Sequence, residues 1–289
     1  MMTQGNTCAV ARSVADLRAQ VREWRAAGLT VALVPTMGAL HAGHMSLVTL
    51  ALTKADRVVV SVFVNPTQFG PTEDFSAYPR QPEQDSAAIA AAGGHLVYLP
   101  TVEEMYPAGA STMVEVSGVS SGLCGDARPG HFRGVATIVT KLLLQALPDV
   151  AIFGEKDFQQ LMVIRRLVRD LDIPVEIVGA PIVREADGLA MSSRNAYLSA
   201  EERPVAARIH AILTEATAAL MQGAPVAATC ATASQALLAA GFRAVDYLEL
   251  RDAETLEPVT ELTRPARLFV AAFLGRTRLI DNVGVRPAV

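Results

Sequence analysis

Through the first part of the chain, amphipathic stretches give way repeatedly to short, uninterrupted apolar runs. Val14, Leu17, Val21 and Trp24 fall on one helical face behind Ser13, a suitable N-cap, with Gly28 as the stop. Thr30–Pro35 is a β-branched apolar run that predicts a strand. A glycine-containing turn follows, then a helix over about His44–Ala55 and a second strand over Val58–Val64. Strand, turn, helix, strand is the βαβ pattern, and continuous rather than alternating apolar runs suit parallel strands covered on both faces. The pattern recurs with helices over about Gln84–Ala92, Val135–Leu147 and Phe158–Leu171, each preceding a strand: His95–Leu99, Val150–Gly154 and Val175–Val178. This predicts a doubly wound α/β sheet.

After Val183 the order changes. Two Ala-rich helical stretches, Ala200–Met221 and Ala224–Ala240, precede strand-like runs at Ala244–Leu250, Leu268–Phe273 and Arg278–Val283. Helices followed by strands predict a small α+β unit. The boundary is expected near Ile182, dividing the chain into residues 1–182 and 183–289.

Composition narrows the function classes. With 289 residues, 51% hydrophobic, 19% charged and a net charge of -4, the chain can bury a sizeable core, and disorder is excluded. Lys and Arg form no basic stripe, so no nucleic-acid partner is expected, and an anionic ligand must be held by a local pocket. Met1–Val10 has no basic start followed by an apolar stretch, so no signal peptide is expected. The longest apolar runs are strand-sized, short of the roughly 20 residues of a membrane span. Cys8, Cys124 and Cys230 are far apart and form no Cys-x-x-Cys pair. They read as reduced thiols of a soluble cytoplasmic protein.

The first strand runs into Pro35-Thr36-Met37-Gly38-Ala39-Leu40-His41-Ala42-Gly43-His44. Its glycines have P-loop spacing, but His44 stands where that motif has Lys, and Met45 where it has Ser or Thr. The Gly-x-Gly-x-x-Gly of dinucleotide binders is also absent. What remains is a glycine-flexed loop at a helix N-terminus, where free amides attract phosphate, with His41 and His44 one helical turn apart. Three readings of the pair stay open: capping and packing, a metal pair without an obvious third ligand, and phosphate contact. The strand-turn-helix junction, where α/β sheets place ligands, favours the last.

The loop resembles the His-x-Gly-His signature of adenylyl-transferring nucleotidyltransferases, and the longer string resembles the pantoate:β-alanine ligase family. Four further blocks agree, in the family's order: Phe63–Gly70, Arg128–Val135, Phe153–Gln160 and Met191–Asn195. The resemblance implies a Rossmann-like sheet domain, a smaller C-terminal lid and a homodimer. It implies condensation of pantoate with β-alanine using ATP, through a pantoyl-adenylate, with release of pyrophosphate and AMP.

By this resemblance Met37, Gly38, Ala39, Leu40, His41, Ala42, Gly43 and His44 form the ATP loop, with His44 the proton donor to the phosphates. Gly154, Glu155, Lys156 and Asp157 join the ATP site, Asp157 at the ribose and Lys156 at the phosphates. Taken alone, Lys156 reads as a surface ion pair with Glu155 or Asp157. Val183 is expected at the adenine through backbone groups, and Met191, Ser192, Ser193 and Arg194 at the outer phosphates. A Ser-Ser pair is also a common cap or turn element. Gln68 and Gln160 are the expected pantoate contacts, Gln68 also for β-alanine, because an amide both donates and accepts. Asn65, Arg128 and Tyr78 are weaker candidates for that pocket. Mg2+ is expected as a complex with ATP phosphates, with Asp85 an indirect ligand at most and no firm metal site. Two other activities fit the scaffold. An adenylyltransferase for a phosphorylated substrate would need a cationic pocket where Gln68 and Gln160 stand. A nucleotide sensor would not need His44, Lys156 and Arg194 together.

Overall fold

A computed structural model describes residues 8–71 and 73–287, so most of the segment read for a signal peptide lies outside the described residues. The chain forms two compact units. One comprises the chain up to Val116, Arg128–Glu155 and Val163–Pro181; the other comprises Ser117–Ala127, Lys156–Met162 and the chain from Ile182 onward.

The first unit is built on six strands: β1 (Ala9–Ala11), β2 (Val31–Thr36), β3 (Arg57–Val62), β4 (Leu96–Tyr98), β5 (Val150–Gly154) and β6 (Glu176–Ala180). They lie in the order β1-β4-β3-β2-β5-β6, and every pairing is parallel. Val31–Val34 of β2 and Val58–Val60 of β3 are fully buried. That explains their unbroken apolar runs: a central parallel strand is covered on both faces. The covering helices include α1 (Val14–Ala26), α2 (Ala42–Leu52) and α3 (Pro82–Ala91), with a short α4 (Val102–Met105). Leu47, Val48, Ala51 and Ile89 pack with Val34, Val60 and Ile152 in one core cluster. In α1, Ser13 and Asp16 form a capping box, and Leu17 and Val21 point inward as their spacing predicts. The chain order reverses between β2 and β5, which makes the carboxyl end of β2 a switch point where doubly wound sheets bind ligands.

The second unit contains α5 (Leu123–Ala127), α8 (Glu202–Ala206), α9 (Arg208–Met221) and α10 (Val226–Ala239). It also holds an antiparallel sheet of β7 (Ala244–Asp252), β8 (Ala266–Leu274) and β9 (Thr277–Val285). Ile209, Leu213, Leu237, Leu268 and Val270 centre its core. The expected α/β sheet with an α+β unit is the observed fold. The single helix expected over Ala200–Met221 is instead two, parting at Ala207. Helix α6 (His131–Ala146) begins four residues before the expected start, because Gly130 takes the left-handed conformation at its N-cap. β1, α4 and α5 are too short to carry a readable period. Helix α7 (Phe158–Asp170) matches its expected span within a residue. Among the described residues no helix is long and apolar enough to cross a membrane.

Candidate active site

β2 ends at Thr36 and α2 starts at Ala42, so the intervening five residues must turn sharply. Gly38 (φ +81°) and Ala39 (φ 51°) do so in consecutive left-handed conformations. A buried carboxylate holds the turn. Asp85, 1% exposed, accepts the Ala39 N–H at 3.0 Å and the Leu40 N–H at 2.8 Å through different oxygens, and Gln81 Nε2 donates to it at 3.3 Å. A Cβ on Gly38 would lie 2.9 Å from Asp85 Oδ2 and 3.0 Å from Val62 Cγ1, so the loop tolerates only glycine there.

His41 is the N-cap of α2. Its Nδ1 accepts the Gly43 N–H at 3.2 Å, while His44 Nδ1 accepts the His41 N–H at 3.3 Å. The two ring centroids lie 4.1 Å apart. An Nδ1 that accepts must keep its lone pair, so each neutral ring carries its proton on Nε2.

The expectation of free loop amides is therefore corrected. Gly38 N–H donates to Thr36 Oγ1, Ala39 and Leu40 to Asp85, and His41 and Gly43 to the two imidazoles. Both imidazole Nδ1 atoms are thereby engaged within the loop. Asp85, considered above as an indirect magnesium ligand, has both oxygens engaged in shaping the loop. Asp85→Asn should raise the ATP KM about tenfold with little change in the β-alanine KM, because its NH2 would face one loop N–H and leave that buried donor unsatisfied. Initial-rate kinetics checks this; an unchanged ATP KM would refute the clamp.

Gln68 ends a short 3-10 turn, Pro66–Gln68, and is buried. Its Oε1 accepts from Asn65 Nδ2 at 3.0 Å, and its Nε2 lies 3.0 Å from Met37 Sδ, which brings it against the β2–α2 loop. Asn65, 1% exposed, also donates to the Gly134 carbonyl and accepts from the Tyr106 hydroxyl at 2.8 Å. Burial pushes the Tyr106 phenol up, only partly offset by its hydrogen bond with Thr67. Asn65 thus fixes which way the Gln68 amide faces. Arg128 supports the same turn through the backbone: it grips Glu73 with two 2.6 Å hydrogen bonds and reaches the Gln68 carbonyl at 3.4 Å. Burial raises the Glu73 carboxyl, but the Arg128 hydrogen bonds and charge outweigh it and hold it below its usual range. Tyr78 is buried beside Phe69.

Glu155–Asp157 form one 3-10 turn after Gly154, and the second unit resumes at Lys156. Lys156 Nζ is 3.8 Å from Asp157 Oδ1, a loose pair on a half-exposed carboxylate and weak as a structural explanation for the lysine. Gln160 lies in the first turn of α7. Val183–Met191 is a hairpin closed by an Arg184–Ala190 bridge, with the Met191 N–H donating to the Val183 carbonyl at 3.0 Å. One of Val183's backbone groups is thus taken by the hairpin. Ser192 caps the 3-10 turn Ser193–Tyr197, its Oγ accepting the Arg194 N–H at 3.3 Å. The cap reading of the serine pair holds for Ser192.

The sequence reading missed the clamp by Asp85, the part of Tyr106, and Gly134. A Cβ on Gly134 would lie 2.3 Å from the Thr67 carbonyl oxygen and 2.7 Å from Gln68 Cα. Gly134 stands just before the expected helix Val135–Leu147, where a glycine reads as a helix start, so nothing local announced the close approach.

The pantoate-beta-alanine ligase family model matches residues 9–284. The chain is 64% identical over 278 residues to a pantothenate synthetase of Paramagnetospirillum magneticum, covering 96% of this chain and 98% of the relative. It is 61% identical to that of Rhodospirillum rubrum over the same shares of both chains. Among solved structures, pantothenate synthetase from Thermus thermophilus superposes with a TM-score of 0.91 at 48% identity, covering 96% of this chain and all of that one. The Francisella tularensis pantoate-beta-alanine ligase, solved with beta-gamma ATP and beta-alanine, gives 0.81 at 32% identity over 96% and 97% of the two chains. This chain belongs to the pantoate-beta-alanine ligase family.

Proposed function

We propose that the chain condenses pantoate with β-alanine at the expense of ATP, giving pantothenate, AMP and pyrophosphate through a pantoyl-adenylate. The observation that carries the site assignment is the histidine pair of the β2–α2 loop, each ring held with Nδ1 as acceptor and Nε2 as donor.

A carboxylate is a poor acyl donor because its leaving oxygen is too basic. Attack of a pantoate carboxylate oxygen on the ATP α-phosphorus forms a mixed anhydride and expels pyrophosphate. The β-alanine amine then attacks the carbonyl carbon, AMP leaves with the bridging oxygen, and the amine loses a proton. The first step needs three anionic groups held in line and charge stabilised on the leaving pyrophosphate. His41 and His44 supply donors from Met37–His44, and Lys156, Ser193 and Arg194 supply cations and a hydroxyl. Ser192 acts by fixing the turn that carries Arg194. Gly154–Asp157, Val183 and Met191 complete the nucleotide contacts, with Asp157 at the ribose. Gln68 and Gln160 hold pantoate, and Gln68 then meets β-alanine. Asn65 donates to the Gln68 amide oxygen and Met37 Sδ lies 3.0 Å from its Nε2, which leaves the second amide hydrogen to meet a substrate oxygen.

Residues 1–182 serve as the ATP- and pantoate-binding part and 183–289 as the closing part. Mg2+ enters as a partner of the triphosphate oxygens. The α3 carboxylate that clamps the loop, Asp85, is engaged by backbone N–H groups, so no protein ligand is assigned to the metal and no step is routed through it. The protein acts as a cytoplasmic homodimer.

The test is pyrophosphate release from ATP and magnesium with pantoate present and β-alanine absent. One equivalent per active site is expected, with sustained turnover once β-alanine is added. No pantoate-dependent pyrophosphate would sink the reading.

A further inference from the structure

β9 carries two consecutive buried polar residues, Asp281 at 3% exposure and Asn282 at 2%, where a core strand would ordinarily place apolar side chains. Neighbouring residues on a strand face opposite sides of the sheet, and here each side holds a different partner. On one side, Asp281 forms a two-pronged ion pair with Arg184, at 2.6 and 3.0 Å, and Arg184 also donates to the Gly188 carbonyl at 3.1 Å. The pair ties the first arm of the hairpin, at Arg184, to its turn, at Gly188, in the segment that starts at Val183 and leads into Met191–Arg194. On the other side, Asn282 Nδ2 donates to the Lys156 carbonyl at 2.9 Å. Asn282 is itself held: its Oδ1 accepts from Arg267, whose guanidinium lies 3.8 Å over the Phe158 ring. The Asn282 N–H donates to Asp281 Oδ1 at 2.8 Å, which ties the two together.

A buried ion pair is weak ground for stability, since an apolar pair of equal volume does as well or better once desolvation is counted. It does enforce one geometry. Resting on the assignment of these segments to ATP above, we propose that Asp281 and Asn282 are positioning residues for the nucleotide. From opposite faces of β9, Asn282 sets the Lys156 turn and Asp281 sets the Val183–Arg194 segment. Neither touches substrate: Asn282 acts through the Lys156 carbonyl it holds, and Asp281 through the Arg184 guanidinium, which in turn holds the Gly188 carbonyl.

The test is a pair of mutant cycles read by calorimetric titration of the full chain with magnesium ATP. Asn282→Asp keeps the acceptor for Arg267 but replaces the donor to Lys156 with an oxygen. It is expected to weaken ATP binding about tenfold, the scale on which a misplaced binding group acts. If Asn282 works through Lys156, the double variant N282D/K156A binds no more weakly than Lys156→Ala alone, within about twofold; independent sites would instead add. Asn282→Ser carries the same expectation should N282D not fold. Asp281→Asn with Arg184→Met forms the parallel cycle. Unchanged ATP affinity in N282D and D281N, or additive losses, would overturn the proposal. If K156A itself leaves ATP affinity unchanged, the assignment of Lys156 to ATP fails first, which is a separate result.

Discussion

His44→Ala is expected to slow pantoate-dependent pyrophosphate release by about 100-fold or more, the scale of losing one preorganised donor at a developing charge. Two losses combine in that variant. The Nε2–H donor disappears, and the His41 N–H loses its acceptor, Nδ1 of His44. The second loss is a capping effect of about 1 kcal/mol on α2. His44→Asn separates them, because its short side-chain carbonyl can still accept from the His41 N–H while no donor reaches the ε position. Thermal stability close to the parent's with activity as low as in H44A is the expected outcome for the Asn variant. Near-normal turnover in H44A would remove His44 from the reaction.

Gly134→Ala should destabilise the protein and raise the pantoate KM, against the usual trend for this exchange. In an unencumbered helix, alanine is favoured over glycine by about 1 kcal/mol. In α6 the new methyl would overlap the backbone of Thr67 and Gln68, with the Thr67 carbonyl oxygen 2.3 Å from the Cβ position. Neither partner is the flexible end of a side chain, so one of the two elements must move. Overpacking of this kind costs roughly 1–3 kcal/mol and sometimes more. The Gly134 carbonyl also accepts from Asn65 Nδ2, so displacement of α6 disturbs the residue that orients the Gln68 amide. Thermal unfolding and pantoate-saturation kinetics read both effects. A G134A protein as stable as the parent would contradict the close approach.

The centre of the sheet was legible because its middle strands are buried on both faces. Thr30–Pro35 and Val58–Val64 read as unbroken apolar runs for the same physical reason that β2 and β3 are central. The capped start of α1 was legible for a local reason, since Ser13 and Asp16 are three residues apart. The β2–α2 loop was legible as a motif, but the partners of its amides were not. Nothing local to Met37–His44 announces that a carboxylate 45 and 46 residues further on takes up two of its amides. The same limit hid Asn282, which meets Lys156 across 126 residues of sequence. Residues that carry a motif can be read from the chain, whereas residues that hold it in shape come from elements brought together by folding.

The central claim, that pantoate is activated by its own carboxylate attacking the ATP α-phosphorus, predicts where one oxygen goes. With pantoate labelled with heavy oxygen in both carboxylate positions, ATP, magnesium and β-alanine, one labelled oxygen should appear in each AMP and none in pyrophosphate, while pantothenate keeps the other in its new amide. Recovery of unlabelled AMP, or of ADP with the label in inorganic phosphate, would contradict it.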